Sequence, residues 1–290
     1  MHTRNQAGVD TNLIAQESQE PGRTRTAGLR IIALMAVHNE SDMLAETLSH
    51  TISQGLDVIV LDNGSTDDSA DIARSYLDRG VLTVRTVITD TYCWAYLLDT
   101  LCEWGWEFSA DWCALVDADT LLEAPEPTVS LRTAIEQQAA RGFNVVRFNN
   151  FEFWPTDLDS PSSASVRQRL TYYTFNDNRQ EKCWLHKAGV GISREGGHVV
   201  DFPSDMEKRL SPDLFTMRHY KFRSYEQGVR KVFNERLPRF RGEPSGWHTQ
   251  YDWLSPARDC FVRDSALLNK YLEDGRWVLR PALNRDGRPL

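Results

Sequence analysis

Two aspartates, Asp117 and Asp119, end an apolar run and lie two residues apart in the sequence LVDADT. A buried carboxylate without a partner is costly or takes up a proton, so this spacing needs a physical reason. One reason is structural, a strand that ends at Asp117 and is followed by a helix cap. The other is chemical, two carboxylates that together hold a cation. The other motifs of the chain distinguish between the structural and the chemical reason.

Polar residues also follow two other apolar runs, as HNE at residues 38–40 and DNGSTD at residues 62–67. If these runs are parallel strands, their carboxyl ends lie along one edge of a sheet, where ligands bind in open α/β folds. Three such ends favour a site for a cation together with a polyol or a nucleotide. The chain has no GxGxxG after its first apolar run and no GxxxxGK[ST]. Without these phosphate-binding loops, a metal would supply much of the charge for a bound phosphate.

The alternation of apolar runs and amphipathic segments predicts an α/β layer with a mainly parallel sheet. In the first half, the predicted strands are at 31–37, 57–62, 81–85 and 112–117. The predicted helices are at 41–54, between the turn after Asp62 and about Leu77, and at 90–106. Those of the second half are a helix at 127–141, a strand at 144–149, a loop-rich stretch at 150–215, a strand leading into a basic helix at 217–233 and a helix at 256–273. Residues 1–28 are polar and aperiodic, which predicts a disordered leader.

Composition limits the class of protein. The net charge of -8 argues against a general nucleic-acid binder, which needs a cationic face. No apolar run is long enough to cross a bilayer, and no apolar signal segment is seen near the N-terminus. The five cysteines lack CxxC and metal-finger spacing, which favours reduced thiols. We therefore expect a cytoplasmic protein, at most peripheral at the inner face of a membrane.

Three motifs cover about residues 30–123, in the order ALMAVHNESDMLAETLSH, VIVLDNGSTDDSADIA and CALVDADTLLE. This stretch resembles the nucleotide-sugar-binding half of family 2-type glycosyltransferases with the GT-A fold. The later segments KCWLHKAGVGISREGGHVV and MRHYKFRSYEQGVRK resemble the back half of a branch with a C-terminal His-Tyr motif. The resemblance implies a GT-A-like Rossmann-type sandwich with a loop-rich acceptor side. It also implies sugar transfer from a nucleoside-diphosphate sugar, usually with inversion.

The resemblance implies a set of donor and metal residues. These are Glu40 and Asp62 for the nucleoside, Asp117 for the ribose or the metal, Asp119 for the metal, and His198 or His219 for the far side of the metal shell. Apart from the resemblance, Lys182 and Arg223 are candidates to pair with the diphosphate. A divalent Mn²⁺ or Mg²⁺ would stabilise charge on the leaving oxygen as a Lewis acid. Oxygen ligands suit both ions, and one imidazole modestly favours Mn²⁺. For the two histidines the alternative is a packed or surface position, and for the basic segment it is a solvated face.

An inverting transfer needs a general base that takes the proton of the acceptor hydroxyl. Glu152, which follows a predicted strand, is the first candidate. Three aspartates are the alternatives: Asp157, Asp205 and Asp213. Two tryptophans would stack on an acceptor, with core packing as their alternative role: Trp154 and Trp184.

Two other functional classes stay open at this point. One is a nucleotidyltransferase that makes sugar nucleotides, although such enzymes usually carry a Gly-rich basic loop where this chain has VHNESD. The other is a non-catalytic protein that binds nucleotides or glycans. The acceptor is a glycan, a lipid-linked sugar or a small molecule. We expect a single domain at 29–255, with a nucleotide-sugar half at 29–123 and an acceptor half at 124–255, and then a C-terminal helix and tail at 256–290.

Overall fold

The computed structural model describes residues 11–18, 28–89, 92–159, 165–192, 194–240, 251–272 and 274–279. The strands are β1 (Thr11–Ser18), β2 (Ile31–Val37), β3 (Asp57–Asp62), β4 (Val81–Thr89), β5 (Trp112–Leu115), β6 (Thr120–Glu123), β7 (Val145–Trp154), β8 (Tyr172–Leu185), β9 (Leu210–His219), β10 (Asn269–Tyr271) and β11 (Trp277–Val278). The helices are α1 (Leu44–Ser53), α2 (Ser69–Arg74), α3 (Trp94–Glu107), α4 (Leu131–Ala140), α5 (Val166–Arg169), α6 (Tyr225–Val229) and α7 (Leu237–Phe240). A π-helical segment spans Arg230–Arg236, and 3₁₀ turns lie at Arg194–Gly197, Arg258–Cys260 and Ser265–Leu267.

The main strands form one sheet in the spatial order β1-β4-β3-β2-β5-β8-β7-β9-β6. Its first half is a block of four parallel strands, β4, β3, β2 and β5. Helices α1, α2 and α4 pack on one face of this block, and α3 packs on the other. A strand covered on both faces needs apolar side chains at almost every position, which explains the unbroken apolar runs of β2 and β3. The predicted α/β sandwich with a mainly parallel central sheet is confirmed.

The boundaries of the first elements follow local signals. Helix α1 ends just before Gly55, whose φ of +87° is the left-handed conformation that glycine adopts freely at a helix end. Strand β3 has the predicted bounds, whereas β5 stops at Leu115, before the two aspartates. Asp117 and Asp119 therefore lie in the short connection between β5 and β6, not within a strand.

The second half of the sheet is mixed, and here the prediction of a loop-rich stretch at 150–215 is wrong in part. Strand β7 continues to Trp154, and β8 lies antiparallel between β5 and β7. Strand β9 runs parallel to β7 and pairs with β6 on its other side. The middle of β8 is exposed and polar, because its neighbours leave residues 176–179 at the edge of a cavity, so its sequence lacks the usual alternation of a strand.

The predicted step from a strand into a basic helix at 217–233 is confirmed. Strand β9 ends at His219, and α6 begins after Ser224, whose side chain accepts a hydrogen bond from the Gln227 amide. The predicted helix at 256–273 is wrong, because the chain there forms two 3₁₀ turns and then β10. Its apolar side chains do not share one face, since Phe261 is fully buried and Leu267 is exposed. The rest of the predicted tail, 280–290, lies outside the described residues.

The leader also differs from the prediction. Residues 11–18 form β1, which pairs antiparallel with β4 at the edge of the sheet. The unpaired backbone groups of an edge strand provide the partners for such pairing, and nothing in the local sequence of residues 11–18 shows it. The remaining parts of the leader, 1–10 and 19–27, lie outside the described residues. Strands from both predicted halves, 29–123 and 124–255, share the sheet; the domain bounds themselves stay predictions.

Candidate active site

A cavity of about 300 Å³ opens where the strands β2, β3 and β5 end. The three polar motifs predicted to share one edge of the sheet are brought together here. The acidic side chains that line it are Glu40, Asp117, Asp119, Glu152 and Glu235, and the basic ones are Lys182, Lys221, Lys231, Arg236 and Arg239. The lining therefore balances charges of both signs, which suits a polar ligand better than an apolar one.

Asp119 and Glu40 are the most completely buried carboxylates of the cavity, with 5% of each residue exposed. Lys231 donates to Asp119 Oδ2 at 2.7 Å, and His219 Nε2 lies 3.6 Å from Asp119 Oδ1. Burial alone would raise the pKa of Asp119, but Lys231, His219 and Arg223 lower the pKa well below its ordinary value. Asp119 is therefore held as a carboxylate.

Asp117 has a different partner. Lys182 donates to its Oδ2 at 2.9 Å, and this lysine is almost fully buried while the Asp117 side chain is 30% exposed. Burial raises the pKa of Asp117 and Lys182 lowers it, with a net shift below the ordinary value. The repulsion between Asp117 and Asp119 is thus offset by a separate lysine for each carboxylate. Lys182, predicted to pair with a diphosphate, lines the cavity but is already bound to Asp117.

Glu40 lines the cavity, as expected for a residue that meets the donor. Lys231 Nζ lies 2.7 Å from Glu40 Oε1, so one buried lysine bridges Glu40 and Asp119. Arg223 contacts the other oxygen of Glu40 and also donates to both oxygens of Asp42 at 2.7 Å. The guanidinium of Arg223 is 1% exposed and lies behind the cavity. In this geometry Arg223 supports Glu40 and does not line the cavity, so its contact with a diphosphate stays a prediction.

Asp62, predicted to meet the nucleoside, does not line the cavity. Its carboxylate accepts hydrogen bonds from the Ser65 amide at 3.0 Å and the Thr86 hydroxyl at 3.2 Å, and so fixes the turn after β3. The next residue, Asn63, lines the cavity in its place. Asn63 donates to the Val87 carbonyl at 2.7 Å and accepts from Arg239. The correction follows from strand geometry, because successive side chains point to opposite faces.

His198 and His219 both line the cavity. Burial and then Lys182 lower the pKa of His198 to about 4, so its imidazole is neutral at neutral pH. No described residue binds His198 Nδ1, although this atom is buried. A neutral imidazole with an unused nitrogen can act as a hydrogen-bond partner or as a metal ligand.

The chain offers part of a metal site. Asp119 Oδ1 and His219 Nε2 lie side by side, and Asp117 and His198 belong to the same cavity. Within the described ranges, however, no group of three or more His, Cys, Asp and Glu side chains is arranged to hold a metal ion. Mg²⁺-like ions commonly use one or two carboxylates and complete their shell with substrate phosphates and water. The residues therefore fit an ion whose shell a diphosphate completes, and do not form a closed protein site.

Glu152 lies in β7 between Thr174 of β8 and His219 of β9, and its side chain faces the cavity. No ion pair or hydrogen bond to its carboxylate is found among the described residues, unlike the other four acids of the cavity. The three alternative bases do not line the cavity: Asp157, Asp205 and Asp213. Asp213 is bound to Arg141 and Gln138. Glu152 is the one of these four candidates that a ligand in the cavity can reach.

The two tryptophans predicted to stack on an acceptor do not line the cavity. Trp184 is fully buried in the core beneath α3. Trp154 donates to the Thr174 hydroxyl at 3.0 Å and packs on Phe222, with the Arg263 guanidinium 4.5 Å from its ring. Both side chains pack in this fold, which is the alternative role given to them above, and stacking on an acceptor stays an untested prediction.

The residues that the sequence reasoning missed lie mainly on the helical segment after β9. Lys231 and Arg236 belong to the π-helical segment, in which hydrogen bonds join residues five apart. That winding brings both side chains to the cavity, where an α-helix would turn them away from each other. Arg236 donates to the Tyr251 hydroxyl. Burial raises the pKa of Tyr251, but Arg236, Lys221 and Lys231 lower it below its ordinary value, which indicates a positive local field.

A signal for this segment was present in the basic run after Ser224, which was interpreted as either a diphosphate-binding helix or a solvated face. The sequence of this run cannot show which residue each basic side chain contacts, because Lys231 binds Asp119, 112 positions away along the chain. None of the helices in the described ranges is both long and apolar enough to span a membrane.

Three solved structures resemble this fold. The mannosyltransferase PcManGT of Pyrobaculum calidifontis, in complex with GDP-Man and Mn²⁺, is 23% identical over 42% of this chain and 35% of its own, with a TM-score of 0.34. TarS of S. aureus in complex with UDP is 11% identical over 71% of this chain and 66% of its own, with a TM-score of 0.40. TarS with UDP-GlcNAc is 12% identical over 70% and 64%, with a TM-score of 0.41. The chain thus spans less than two thirds of the length of each.

No curated protein matches the chain. Residues 32–186, more than half of the 290, match glycosyl transferase family 2. The match runs from β2 to the end of β8 and includes the strand ends that form the cavity. It stops before the His219–Tyr220 pair, so the branch inferred from that pair stays a prediction. The family match covers most of the sheet and the acidic residues at the ends of its strands. The chain therefore belongs to glycosyl transferase family 2.

Proposed function

We propose that this protein transfers a sugar from a nucleoside-diphosphate sugar to an acceptor hydroxyl. The observation that carries the proposal is one cavity, at the ends of the parallel strands, that joins carboxylates, cationic side chains and an unpaired glutamate. The nucleotide-sugar donor and the transfer fit the family to which the chain belongs. The base, the sugar and the acceptor are open.

The donor would lie along the ends of β3, β2 and β5. Asn63 and His38 line this end, with His38 Nδ1 2.9 Å from the Asn63 carbonyl, and can bind the polar edges of a nucleoside. Lys221, Arg236 and Arg239 also line the cavity and supply positive charge, and Arg239 donates to Asn63 Oδ1. Charge-assisted hydrogen bonds from such groups suit a diphosphate.

Asp119 and His219 would hold the divalent cation, with Asp117 and His198 close by. Such an ion, Mn²⁺ or Mg²⁺, would supply Lewis-acid stabilisation of the leaving diphosphate when bound. Lys231 and Arg223 keep Asp119 ionised and fix its orientation, so that Oδ1 faces His219. Metal dependence and the choice between the two ions are predictions of the proposal.

Glu152 would act as the general base. The acceptor oxygen attacks the anomeric carbon, the bond from that carbon to the diphosphate oxygen breaks, and the acceptor proton passes to the Glu152 carboxylate. A free carboxylate is needed for this step, and Glu152 has no ionic partner among the described residues. This attack from the face opposite the diphosphate would invert the anomeric centre, which stays a prediction.

Metal-dependent nucleotide binding is the first test. UDP, GDP, ADP and CDP are added to the protein with Mn²⁺ or with EDTA, and thermal melting is recorded. A nucleotide present at 100 times its Kd should raise the melting temperature by roughly 5 °C, since it binds only the folded state. Asp119→Asn should lose the Mn²⁺-dependent part of the shift, whereas Asp71→Asn, on the exposed side of α2, should keep it. A full Mn²⁺-dependent shift in Asp119→Asn would remove Asp119 from the metal site.

Catalysis is tested separately from binding. UDP-GlcNAc and GDP-Man are incubated with the protein and Mn²⁺, and release of UDP or GDP is measured. Slow donor hydrolysis is expected from a transferase that lacks its acceptor, because water can enter the acceptor position. Binding without any release from a set of nucleotide sugars would favour the alternative of a non-catalytic binding protein.

The acceptor is a glycan, a lipid-linked sugar or a small molecule in this proposal. The five cysteines are free, as expected for reduced thiols. A cytoplasmic location and a peripheral contact with a membrane stay predictions from the sequence.

A further inference from the structure

Four amide side chains line one end of the cavity, and no step described above uses them. They form the amide wall, which consists of Asn150, Asn176, Asn178 and Gln180. Asn150 comes from β7, and the other three come from β8, where they alternate along the strand. All three line the same cavity, so one strand contributes three amides to one surface.

A bulge in β8 shapes this wall. Asn150 pairs with Asn176, and Phe148 pairs with Gln180, so three residues of β8 lie opposite Asn149 alone. The extra residues put Asn178 at the exposed mouth of the cavity, where its backbone N–H donates to Asn176 Oδ1 at 3.0 Å. Bulges of this kind commonly re-aim side chains next to binding sites.

Asn150 gives the independent sign of a ligand. It is 2% exposed and lines the cavity, yet no described residue donates a hydrogen bond to its Oδ1. A buried acceptor without a partner is destabilising, so such atoms are rare and commonly have a function. A hydroxyl group bound in the cavity would provide the missing donor.

The wall lies at the other end of the cavity from the nucleoside position. Asn63 follows β3, whereas Asn150 lies in β7, four strands further along the sheet. At a spacing of about 4.8 Å between strands, the two ends are roughly 19 Å apart. Glu152, the proposed base, is two residues from Asn150 on the same side of β7. A molecule held by the wall is therefore next to Glu152 and away from the nucleoside.

The chemistry of the wall is that of hydroxyl recognition. Each amide offers a carbonyl acceptor and N–H donors, and hydroxyl groups need both. The four amides carry no charge and no aromatic or aliphatic group, and Lys182, the next residue of β8 that lines the cavity, is already paired with Asp117. We infer that the amide wall is the acceptor subsite and binds the hydroxyl groups of a saccharide. The acceptor is then a free sugar, or a molecule that ends in a sugar at its reacting end. This inference rests on the proposed function and specifies its acceptor.

The test uses simple saccharide probes, because the natural acceptor is not identified. Methyl glycosides of glucose, galactose, mannose and N-acetylglucosamine are added to the protein with saturating UDP or GDP and Mn²⁺. Binding is measured by saturation-transfer NMR, with 2-methoxytetrahydropyran as a matched probe that has the ring and no hydroxyl groups. At least one glycoside should bind, and the hydroxyl-free probe should not.

Two variants locate the binding. Asn150→Leu keeps a similar volume but removes the amide, and Asn178→Ala changes an exposed residue that cannot disturb the core. Each should weaken glycoside binding by about fivefold to tenfold, the loss expected for one or two hydrogen bonds. Gln137→Leu, which removes an exposed amide on α4 outside the cavity, is the matched control and should bind as the wild type does.

Each contrary result has a distinct meaning. Nucleotide binding without any glycoside binding overturns the saccharide subsite and leaves the donor site standing. Equal glycoside binding by wild type and both variants also overturns it. If the variants instead weaken a nucleotide sugar relative to its nucleotide, the wall holds the donor sugar and the acceptor assignment is wrong. Absence of nucleotide binding in every sample overturns the proposed function, and the acceptor subsite with it.

Discussion

The carboxylates at the two ends of the cavity have different partners. At the paired end, Glu40, Asp117 and Asp119 each contact a buried lysine. At the open end, Glu152 pairs across the sheet with Thr174 and His219 and has no ionic partner in the described part of the chain. A paired carboxylate is fixed in its charge and position, whereas an unpaired one can take a proton from a ligand. In the proposed function, this difference would separate the acids that hold the ligand from the acid that reacts with it.

The largest effect is expected at the open end. Glu152→Gln keeps the size of the side chain but cannot accept a proton, so donor hydrolysis should fall by about 10²- to 10⁴-fold. Nucleotide binding, measured by thermal shift, should be retained. Asp157→Asn changes an exposed aspartate outside the cavity and serves as the control. Full hydrolysis by Glu152→Gln would show that the unpaired carboxylate is not the base.

Substitution of the lysines at the paired end should lower the stability of the protein. Lys231→Met leaves both Glu40 and Asp119 buried without their shared lysine, and should lower the free energy of unfolding by roughly 3–5 kcal/mol. Lys182→Met affects only Asp117, whose side chain is 30% exposed and can be hydrated, so a loss of about 1–3 kcal/mol is expected. Urea denaturation measures both. Equal losses would mean that burial does not distinguish the two aspartates.

A buried histidine outside the cavity provides a reference for the effect of burial on a pKa, measured through the pH dependence of stability. Burial lowers the pKa of His186, outside the cavity, to about 4. Between pH 6.5 and 4 the unfolded chain binds a proton that the native state does not, so stability should fall as pH decreases, by up to roughly 3 kcal/mol. His186→Phe should remove this contribution and leave that of the other histidines whose pKa values are lowered by burial, His38, His50 and His198. The carboxylates Asp117 and Asp119 contribute only at lower pH, since their pKa values are lowered below 3.8. The free energy of unfolding is measured by urea denaturation between pH 4 and 6.5. If it depends on pH as strongly in His186→Phe as in the wild type, burial does not lower the pKa of His186.

The smallest effect is expected for Trp154, next to the open end. Trp154→Phe removes the hydrogen bond to Thr174 and should cost about 0.5–1.5 kcal/mol of stability. Binding of the methyl glycosides should not change, because the Trp154 ring does not line the cavity. A clear loss of glycoside binding would restore the stacking role that the sequence suggested.

Local patterns predicted the parallel half of the fold well. The runs at β2 and β3 are apolar throughout because both faces of these strands are covered, and Gly55 ends α1 through its own conformational freedom. The mixed half was predicted poorly. Strand β8 owes its form to β5 and β7 on either side, and its exposed polar stretch resembles a loop in the sequence.

The site shows the same division. The convergence of Glu40, Asp117 and Asp119 followed from the rule that ligands bind beyond the ends of parallel strands. Arg223, Asp62 and Trp184 lie outside the cavity lining, which the sequence did not show, because their positions depend on which side of an element the side chain faces and on its packing partners.

The sequence by itself determined that acidic residues collect at the ends of buried parallel strands, because period and polarity are local properties of the chain. Only the tertiary structure decided which acid is neutralised, since Lys231 reaches Asp119 through a π-helical turn and a sequence separation of 112 residues. Coulombic pairing depends on distance in space, and no local pattern encodes it.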